Sequence, residues 1–145
     1  MKDSDGSSNF ELVEKAKKLR LSNFRGVFMR DQLNFTPLRN ECGILNLNTN
    51  SQPGSHWVCW YKHGDKKYYF DSFGVIAPRE IVKYLKPPII YSTRQIQGFN
   101  DTKCGQWCLY VLTELNKKRL FRDIVLDLVN AVRRGKRKNT ELPKQ

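Results

Sequence analysis

The chain has 145 residues, of which 39% are hydrophobic and 12% aromatic. A chain of this size and composition can bury its own core without metal ions or disulfides, which predicts a single globular domain and argues against disorder. No apolar run approaches the roughly 20 residues of a membrane-spanning helix, and the polar N-terminus lacks the apolar segment of a signal peptide. We therefore expect a cytosolic or nuclear protein without membrane contact.

The charge is strongly basic, with 26 Lys and Arg against 14 Asp and Glu and a formal net charge of +12. Such a field favours phosphate-rich partners and makes their association sensitive to salt. Contact with nucleic acid is one interpretation of the densest basic cluster, and a solvated tail or a nuclear import signal is the other. The cluster contains Arg133, Arg134, Lys136, Arg137 and Lys138.

The first half of the chain predicts few regular elements. Residues 1–8 are expected to be disordered, and Phe10–Arg20 has the apolar spacing of a short amphipathic helix. Asn23–Pro37 is interpreted as irregular. A short strand at Ile44–Leu47 follows, and then a loop over Asn48–Ser55 that is rich in Asn, Ser, Pro and Gly.

The second half begins with a predicted β-hairpin, in which His63, Gly64 and Asp65 supply the turn chemistry. Its strands and the elements after it are His56–Tyr61, Lys67–Phe70, a helix over Pro78–Leu85, a strand at Ile89–Tyr91, a helix starting near Cys104 and a helix over about Leu120–Val132. We expect an α+β fold, a small mostly antiparallel sheet with packed helices, over residues 9–133. A basic tail is expected over residues 134–145.

The hairpin brings two chemically useful side chains together. His56 starts its first strand and Asp71 follows its second strand. Because antiparallel pairing places those two ends side by side, we predict a hydrogen bond between His56 and Asp71. Taken singly, His56 also fits an ordinary residue at a strand edge, Asp71 also fits a turn former, and His63 fits a solvated turn residue.

Cys104 stands at the predicted start of a helix, where unpaired N–H groups and the helix dipole favour a thiolate. Gly105 removes a side chain where a substrate backbone has to approach. The Cys104 N–H and the side-chain amide of Gln97 are candidate donors to an oxyanion. Alone, Cys104 also fits a buried core thiol, and Gln97 fits a surface glutamine with Gln95 as a competitor. Together with His56 and Asp71, they favour nucleophilic catalysis by a cysteine.

The remaining cysteines are Cys42, Cys59 and Cys108, and we expect all of them to be thiols because the cytosol and nucleus are reducing. With two histidines and no Cys-x-x-Cys pair, the sequence offers no zinc-binding pattern. We expect no metal, and cysteine-based acyl transfer requires no cofactor for its chemistry.

The same residues resemble a known family. The pattern is similar to that of the adenovirus maturation proteases, or adenains, which belong with the cysteine peptidases that process SUMO and related ubiquitin-like proteins. The features that carry the resemblance are His56-Trp57, Asp71 after the next strand, and Gln97 seven residues before Cys104-Gly105.

The resemblance implies an adenain-like fold and a role for each residue. Cys104 would be the nucleophile, His56 the general base, Asp71 the carboxylate that orients it, Gln97 the oxyanion donor, and Trp57 part of a narrow substrate groove. Two features depart from the family. Asp71 stands where the adenoviral enzymes have glutamate, and the chain is shorter, which puts exosites for a folded ubiquitin-like substrate in doubt.

The function implied by the resemblance is that of a cysteine endopeptidase, which cleaves structural precursor proteins of a virus or mobile element near small, Gly-type residues. In its size and short sequence runs, the chain most resembles proteases of adenovirus-like DNA viruses and Polinton-type elements. A location in the host nucleus or virion is implied, with DNA and an activating peptide as further partners, and we expect a monomer. Two alternatives stay open: a deconjugating protease for a ubiquitin-like modifier, and a non-catalytic basic DNA-binding protein on this scaffold.

Overall fold

The computed structural model describes residues 9–48, 56–92, 94–96 and 104–138, with the backbone alone for 135–138. The elements are α1 (Asn9–Lys18), β1 (Phe24–Met29), a short 3-10 turn (Arg30–Gln32), β2 (Asn40–Asn46), β3 (Trp57–His63), β4 (Lys66–Phe70), α2 (Arg79–Leu85), β5 (Ile90–Tyr91), α3 (Cys104–Asn116) and α4 (Phe121–Lys138). Among these residues, no helix combines the length and the apolar character needed to cross a membrane.

The five described strands form one mixed sheet in the order β1-β2-β3-β4-β5. The three central strands are antiparallel to one another, and each edge strand pairs parallel with its neighbour. The predicted α+β class is therefore confirmed. The parallel edges arise because β1 and β5 are each joined to the central strands by long connections rather than by tight turns.

Strand alternation divides the core into two layers. On β3, Trp57 and Cys59 face α1, α3 and α4, whereas Val58 and Trp60 face α2. Position 43 on β2 has room only for glycine, because a Cβ there would lie 2.4 Å from the ring of Trp60. The alternation matters for the site, because it places Trp57 and Cys59 of β3 in the same core layer as Cys104, the first residue of α3.

Two predictions about the elements were wrong. The segment Asn23–Pro37, interpreted as irregular, contains β1, which is an edge strand with an irregular register beside Gly26 (φ +136°) and shows no apolar alternation. The last helix reaches Lys138 instead of ending near Val132, since Arg and Lys are good helix formers and Gly135 does not stop it. The basic cluster therefore starts inside α4. Residues 1–8 and 139–145 lie outside the described residues, and the domain boundaries stay predictions.

Candidate active site

The open end of the β3–β4 hairpin brings His56 and Asp71 together. Nε2 of His56 lies 2.8 Å from Oδ1 of Asp71, as the hairpin geometry predicts. The pair is sheltered from solvent, with side chains that are 12% and 2% exposed respectively. A buried carboxylate on one ring nitrogen fixes the orientation and tautomer of an imidazole.

Asp71 is itself held on several sides. Its Oδ1 also accepts a hydrogen bond from the N–H of Phe73 at 2.8 Å, and its backbone N–H donates to Oγ of Ser92 at 3.2 Å. The chain then turns sharply, with the N–H of Gly74 donating to the carbonyl of Asp71 at 2.8 Å. Gly74 has φ +73°, and a Cβ there would lie 2.8 Å from the carbonyl carbon of Arg94. Only glycine fits this turn without strain.

Cys104 is the first residue of α3 and is 1% exposed. Strand pairing between β3 and β4 begins at Cys59 and Phe70, which leaves the N–H of Trp57 beyond the ladder. That N–H donates to Sγ of Cys104 at 3.4 Å. The thiol also interacts with His56, since Cys104 raises the pKa of that imidazole. Because Asp71 occupies Nε2 of His56, Nδ1 is the ring nitrogen left for the thiol. The structure thus aligns carboxylate, imidazole and thiol.

The surroundings of His56 favour its protonated form. Burial lowers the pKa of this imidazole, but hydrogen bonds with Asp71 and Cys104 and their charges outweigh the burial and raise the pKa from 6.5 to about 9. An imidazolium next to a thiol favours the thiolate form of the sulfur. The electrostatics around His56 therefore favour an imidazolium between Asp71 and Cys104.

None of the four cysteines forms a disulfide. The other thiols have surroundings that differ from those of Cys104. Burial raises the pKa of Cys42 to about 12, with smaller contributions from Cys59 and Glu41. Burial, followed by contacts with Cys59, raises the pKa of the Cys108 thiol well above its ordinary value. These two thiols are protonated core residues.

The remaining residues expected at the site are found in different places. Gln97 lies outside the described residues, and its competitor Gln95 is exposed. Trp57 is 1% exposed and donates from Nε1 to Oδ1 of Asn9, the first residue of α1, at 2.9 Å. Trp57 therefore packs beneath α1, and its contact with substrate stays a prediction.

Gly105 and the basic residues are also partly accounted for. Gly105 is buried, and a Cβ there would lie 3.0 Å from a methyl group of Leu12. The packing of α1 against α3 explains this glycine without a substrate. Arg133 and Arg134 are exposed on α4, while Lys136, Arg137 and Lys138 belong to its last turn. Their contact with nucleic acid stays a prediction. His63 is exposed at the far end of β3.

Sequence reasoning missed two features near the site. The ring of Phe73 stacks on the His56 ring, with centroids 4.2 Å apart and planes 3° apart. The sequence offered one signal for this stack, an aromatic residue two positions after Asp71. Asn46 is 1% exposed beside Trp57 in the β2–β3 register, and its Nδ2 has no hydrogen-bond partner among the described residues. No sequence pattern marks that amide.

Among the described residues, no group of three or more His, Cys, Asp and Glu is arranged to hold a metal ion.

A carboxylate, an imidazole and a thiol close together on an α+β scaffold are the groups that acyl transfer by a cysteine nucleophile requires. The comparisons with known proteins give the particular relatives. The chain is 27% identical to a protease of porcine adenovirus A serotype 3, over 88% of this chain and 74% of that protein. It is 25% identical to a protease of bovine adenovirus 2, over 75% of this chain and 60% of that protein. No family model matches the sequence.

Solved structures agree with these relatives at the level of the fold. An ASFV protease superposes with a TM-score of 0.61 at 16% identity, over 81% of this chain and 60% of that chain. HopZ1a, solved with IP6 and CoA, superposes with a TM-score of 0.50 at 13% identity, over 88% of this chain and 46% of that one. The chain is similar in sequence to two adenovirus proteases and shares the fold of the ASFV protease.

Proposed function

We propose that this protein is a cysteine endopeptidase, with Cys104 as nucleophile, His56 as general base and acid, and Asp71 as the carboxylate that orients His56. The observation that carries the proposal is the hydrogen bond between Asp71 and His56, with Cys104 interacting with the same imidazole. The adenovirus protease relatives support peptide bonds as the target.

The proposed reaction uses these groups in order. The Cys104 thiolate attacks the scissile carbonyl, and His56 gives its proton to the leaving amine as the acyl-enzyme forms. A water molecule then attacks the acyl group, with His56 taking the water proton and returning the thiolate. The Trp57 N–H at Sγ favours the thiolate between turnovers. The Cys104 N–H and Gln97 would donate to the oxyanion.

Burial of the nucleophile supports small substrate residues next to the scissile bond. Sγ belongs to a residue that is 1% exposed, so a bulky side chain beside the scissile carbonyl would prevent the approach of the two atoms. Gly-type residues satisfy this condition, and their backbone can enter a narrow groove. The substrates would be structural precursor proteins of a virus or mobile element, since both sequence relatives are adenovirus proteases.

The basic surface supports DNA as a partner. The net charge is +12, and Arg133 and Arg134 are exposed on the last turns of α4. DNA would concentrate the enzyme near packaged substrates in the host nucleus or virion, and an activating peptide is a further proposed partner of a monomeric enzyme. DNA should stimulate cleavage at low salt, and the stimulation should vanish at high salt. Cleavage indifferent to both would contradict this part of the proposal.

A covalent probe tests the chemistry without knowledge of the natural substrate. A peptide ending in Gly-Gly with a vinyl ester in place of the scissile bond should label Cys104 once per chain, with no metal added. Labelling should be lost in Cys104→Ala and retained in Cys42→Ala, which removes a buried thiol outside the site. Equal labelling of wild type and Cys104→Ala would contradict the nucleophile assignment.

The nature of the substrate separates the proposed endopeptidase from a deconjugase. Fluorogenic peptides with Gly-x-Gly sequences should be cleaved at least as well as a folded ubiquitin-like modifier with a Gly-Gly tail. The reverse preference would favour the deconjugase. A non-catalytic DNA-binding protein is less well supported, because the thiol, imidazole and carboxylate are all aligned.

A further inference from the structure

We propose that Phe73 is a positioning residue that holds the His56 ring in its working orientation and stabilises its protonated form. This inference rests on the proposed peptidase function for its catalytic consequence, but the stacking itself can be measured without any substrate.

The geometry of the pair is specific. The two ring centroids lie 4.2 Å apart, and the ring planes differ by 3°. Every other aromatic ring pair in the described part of the chain is tilted or edge-on, with planes 30° to 80° apart. Neutral aromatic pairs adopt tilted or offset-stacked arrangements, and a flat cation also lies over the face of its partner. The parallel stack therefore suits an imidazolium.

The backbone of Phe73 places its ring there. Its N–H donates to the same Asp71 oxygen that accepts from His56, so one residue contacts both members of the pair. The turn at Gly74, with φ +73° and no room for a Cβ, then fixes the direction in which the chain leaves. Phe73 thus fixes the carboxylate through its backbone and the imidazole through its side chain.

The contacts of the two His56 nitrogens leave one motion of the imidazole ring unrestrained, and an aromatic ring on its face can restrain that motion. The titratable groups described around His56 are Asp71 at the end of β4 and Cys104 at the start of α3, each on one edge of the ring. Neither of them restrains tilting of the ring about the line that joins them. The Phe73 face restrains that tilt, and its negative quadrupole favours the imidazolium over the imidazole.

Replacement by leucine separates this role from ordinary packing. Phe73→Leu keeps an apolar side chain and the backbone N–H to Asp71, but it removes the aromatic face. Phe73→Tyr keeps the face. Phe35→Leu is the matched control, because the Phe35 ring also carries a cation, with Cζ of Arg25 4.6 Å from its centroid, yet it belongs to the α2 side of the sheet.

The measurement is an NMR titration of the histidine ring signals, which is simple because the chain has only two histidines and His63→Gln assigns them. In Phe73→Leu the midpoint of His56 should move to lower pH by about half a unit. The alkaline limb of kcat/KM should move with it, and kcat should fall by about tenfold. Phe73→Tyr and Phe35→Leu should leave the His56 midpoint within about 0.2 of a unit of wild type.

An unchanged His56 midpoint in a folded Phe73→Leu protein would overturn the inference, as would an equal shift in Phe35→Leu. These outcomes are distinct from failure of the proposed function. If the protein cleaves nothing but Phe73→Leu still moves the midpoint, the stack is real and the peptidase assignment fails alone.

Discussion

Cys104 and Cys108 lie one helical turn apart on α3, and Trp57 contacts them in opposite ways. Its N–H donates to Sγ of Cys104, whereas its carbonyl oxygen accepts a hydrogen bond from Sγ of Cys108. A donor beside sulfur favours the thiolate, while an acceptor requires the thiol. Burial further raises the pKa of Cys108, and His56 contacts Cys104. Two buried cysteines on one face of a helix are thus distinguished by the backbone of a single strand residue.

The largest expected effect comes from removing one of these two sulfurs. Cys104→Ala should lower kcat for peptide cleavage by at least about 10⁴-fold, because no other described side chain can form the acyl-enzyme. Cys108→Ala removes a thiol of the same helix face and should retain most of the activity, although a cavity lowers stability. Far-UV circular dichroism would check that both variants fold. Equal loss of activity in both would break the comparison.

Asp71 gives the next largest effect. Asp71→Asn should lower kcat by about 10²- to 10⁴-fold, since the amide does not fix the His56 tautomer or stabilise its proton. Asp65→Asn in the exposed hairpin turn is the matched control and should match wild type. The measurement is steady-state kinetics with a Gly-x-Gly peptide. A variant at Asp71 with full activity would show that the orienting group lies elsewhere.

The His56–Asp71 pair also predicts how stability depends on pH. Because the pKa of His56 in the folded protein, about 9, lies above its ordinary value of 6.5, protonated His56 stabilises the fold fully below pH 6.5. That contribution is lost as the pH rises through about 9. The difference between the two pKa values corresponds to roughly 3 kcal/mol at most.

Denaturant unfolding at pH 6 and at pH 10 would measure this contribution. The free energy of unfolding of wild type should fall by more than that of His56→Gln over the same interval, and the excess is the share of His56. The rate of cleavage should fall over the same alkaline range, because the leaving amine loses its proton donor. An identical pH dependence in wild type and His56→Gln would contradict the assigned protonation state.

The smallest expected effect is at the turn that follows Asp71. Gly74→Ala should lower the free energy of unfolding by about 2–3 kcal/mol, because alanine is strained at positive φ and its Cβ meets the backbone of Arg94. Gly64→Ala, at φ +60° with only the Arg39 side chain nearby, should cost about 1–2 kcal/mol. Thermal unfolding compares the two. A smaller loss at Gly74 than at Gly64 would mean that the turn tolerates a side chain.

The parts of the site that depend on local pairing could be predicted from the sequence. The hairpin fixes which ends of its strands meet, so the His56–Asp71 contact follows from turn chemistry and strand length alone. The position of Cys104 at a helix start follows from apolar spacing. The contact between Cys104 and His56 needs α3 to pack on β3, and the resemblance to adenains supplied that expectation rather than any local pattern.

Other features depend on packing that no local pattern encodes. β1 is an edge strand whose parallel pairing with β2 leaves its side chains half-buried, so it lacks the alternation that identifies a strand. The resemblance to adenains implies that Trp57 lines a substrate groove, whereas its packing beneath α1, with a hydrogen bond to Asn9, had no signal in the sequence. The Phe73 stack depends on a turn direction that Gly74 sets in three dimensions.

The pH dependence of alkylation at each cysteine, read by mass spectrometry in wild type and His56→Ala, tests the central claim most directly. We predict that Cys104 alone reacts rapidly with iodoacetamide near neutral pH and that His56→Ala removes this reactivity, while Cys42 and Cys108 stay unreactive in both folded proteins. Reaction of Cys104 at the same slow rate as Cys108 in both proteins would contradict a thiolate–imidazolium pair at this site.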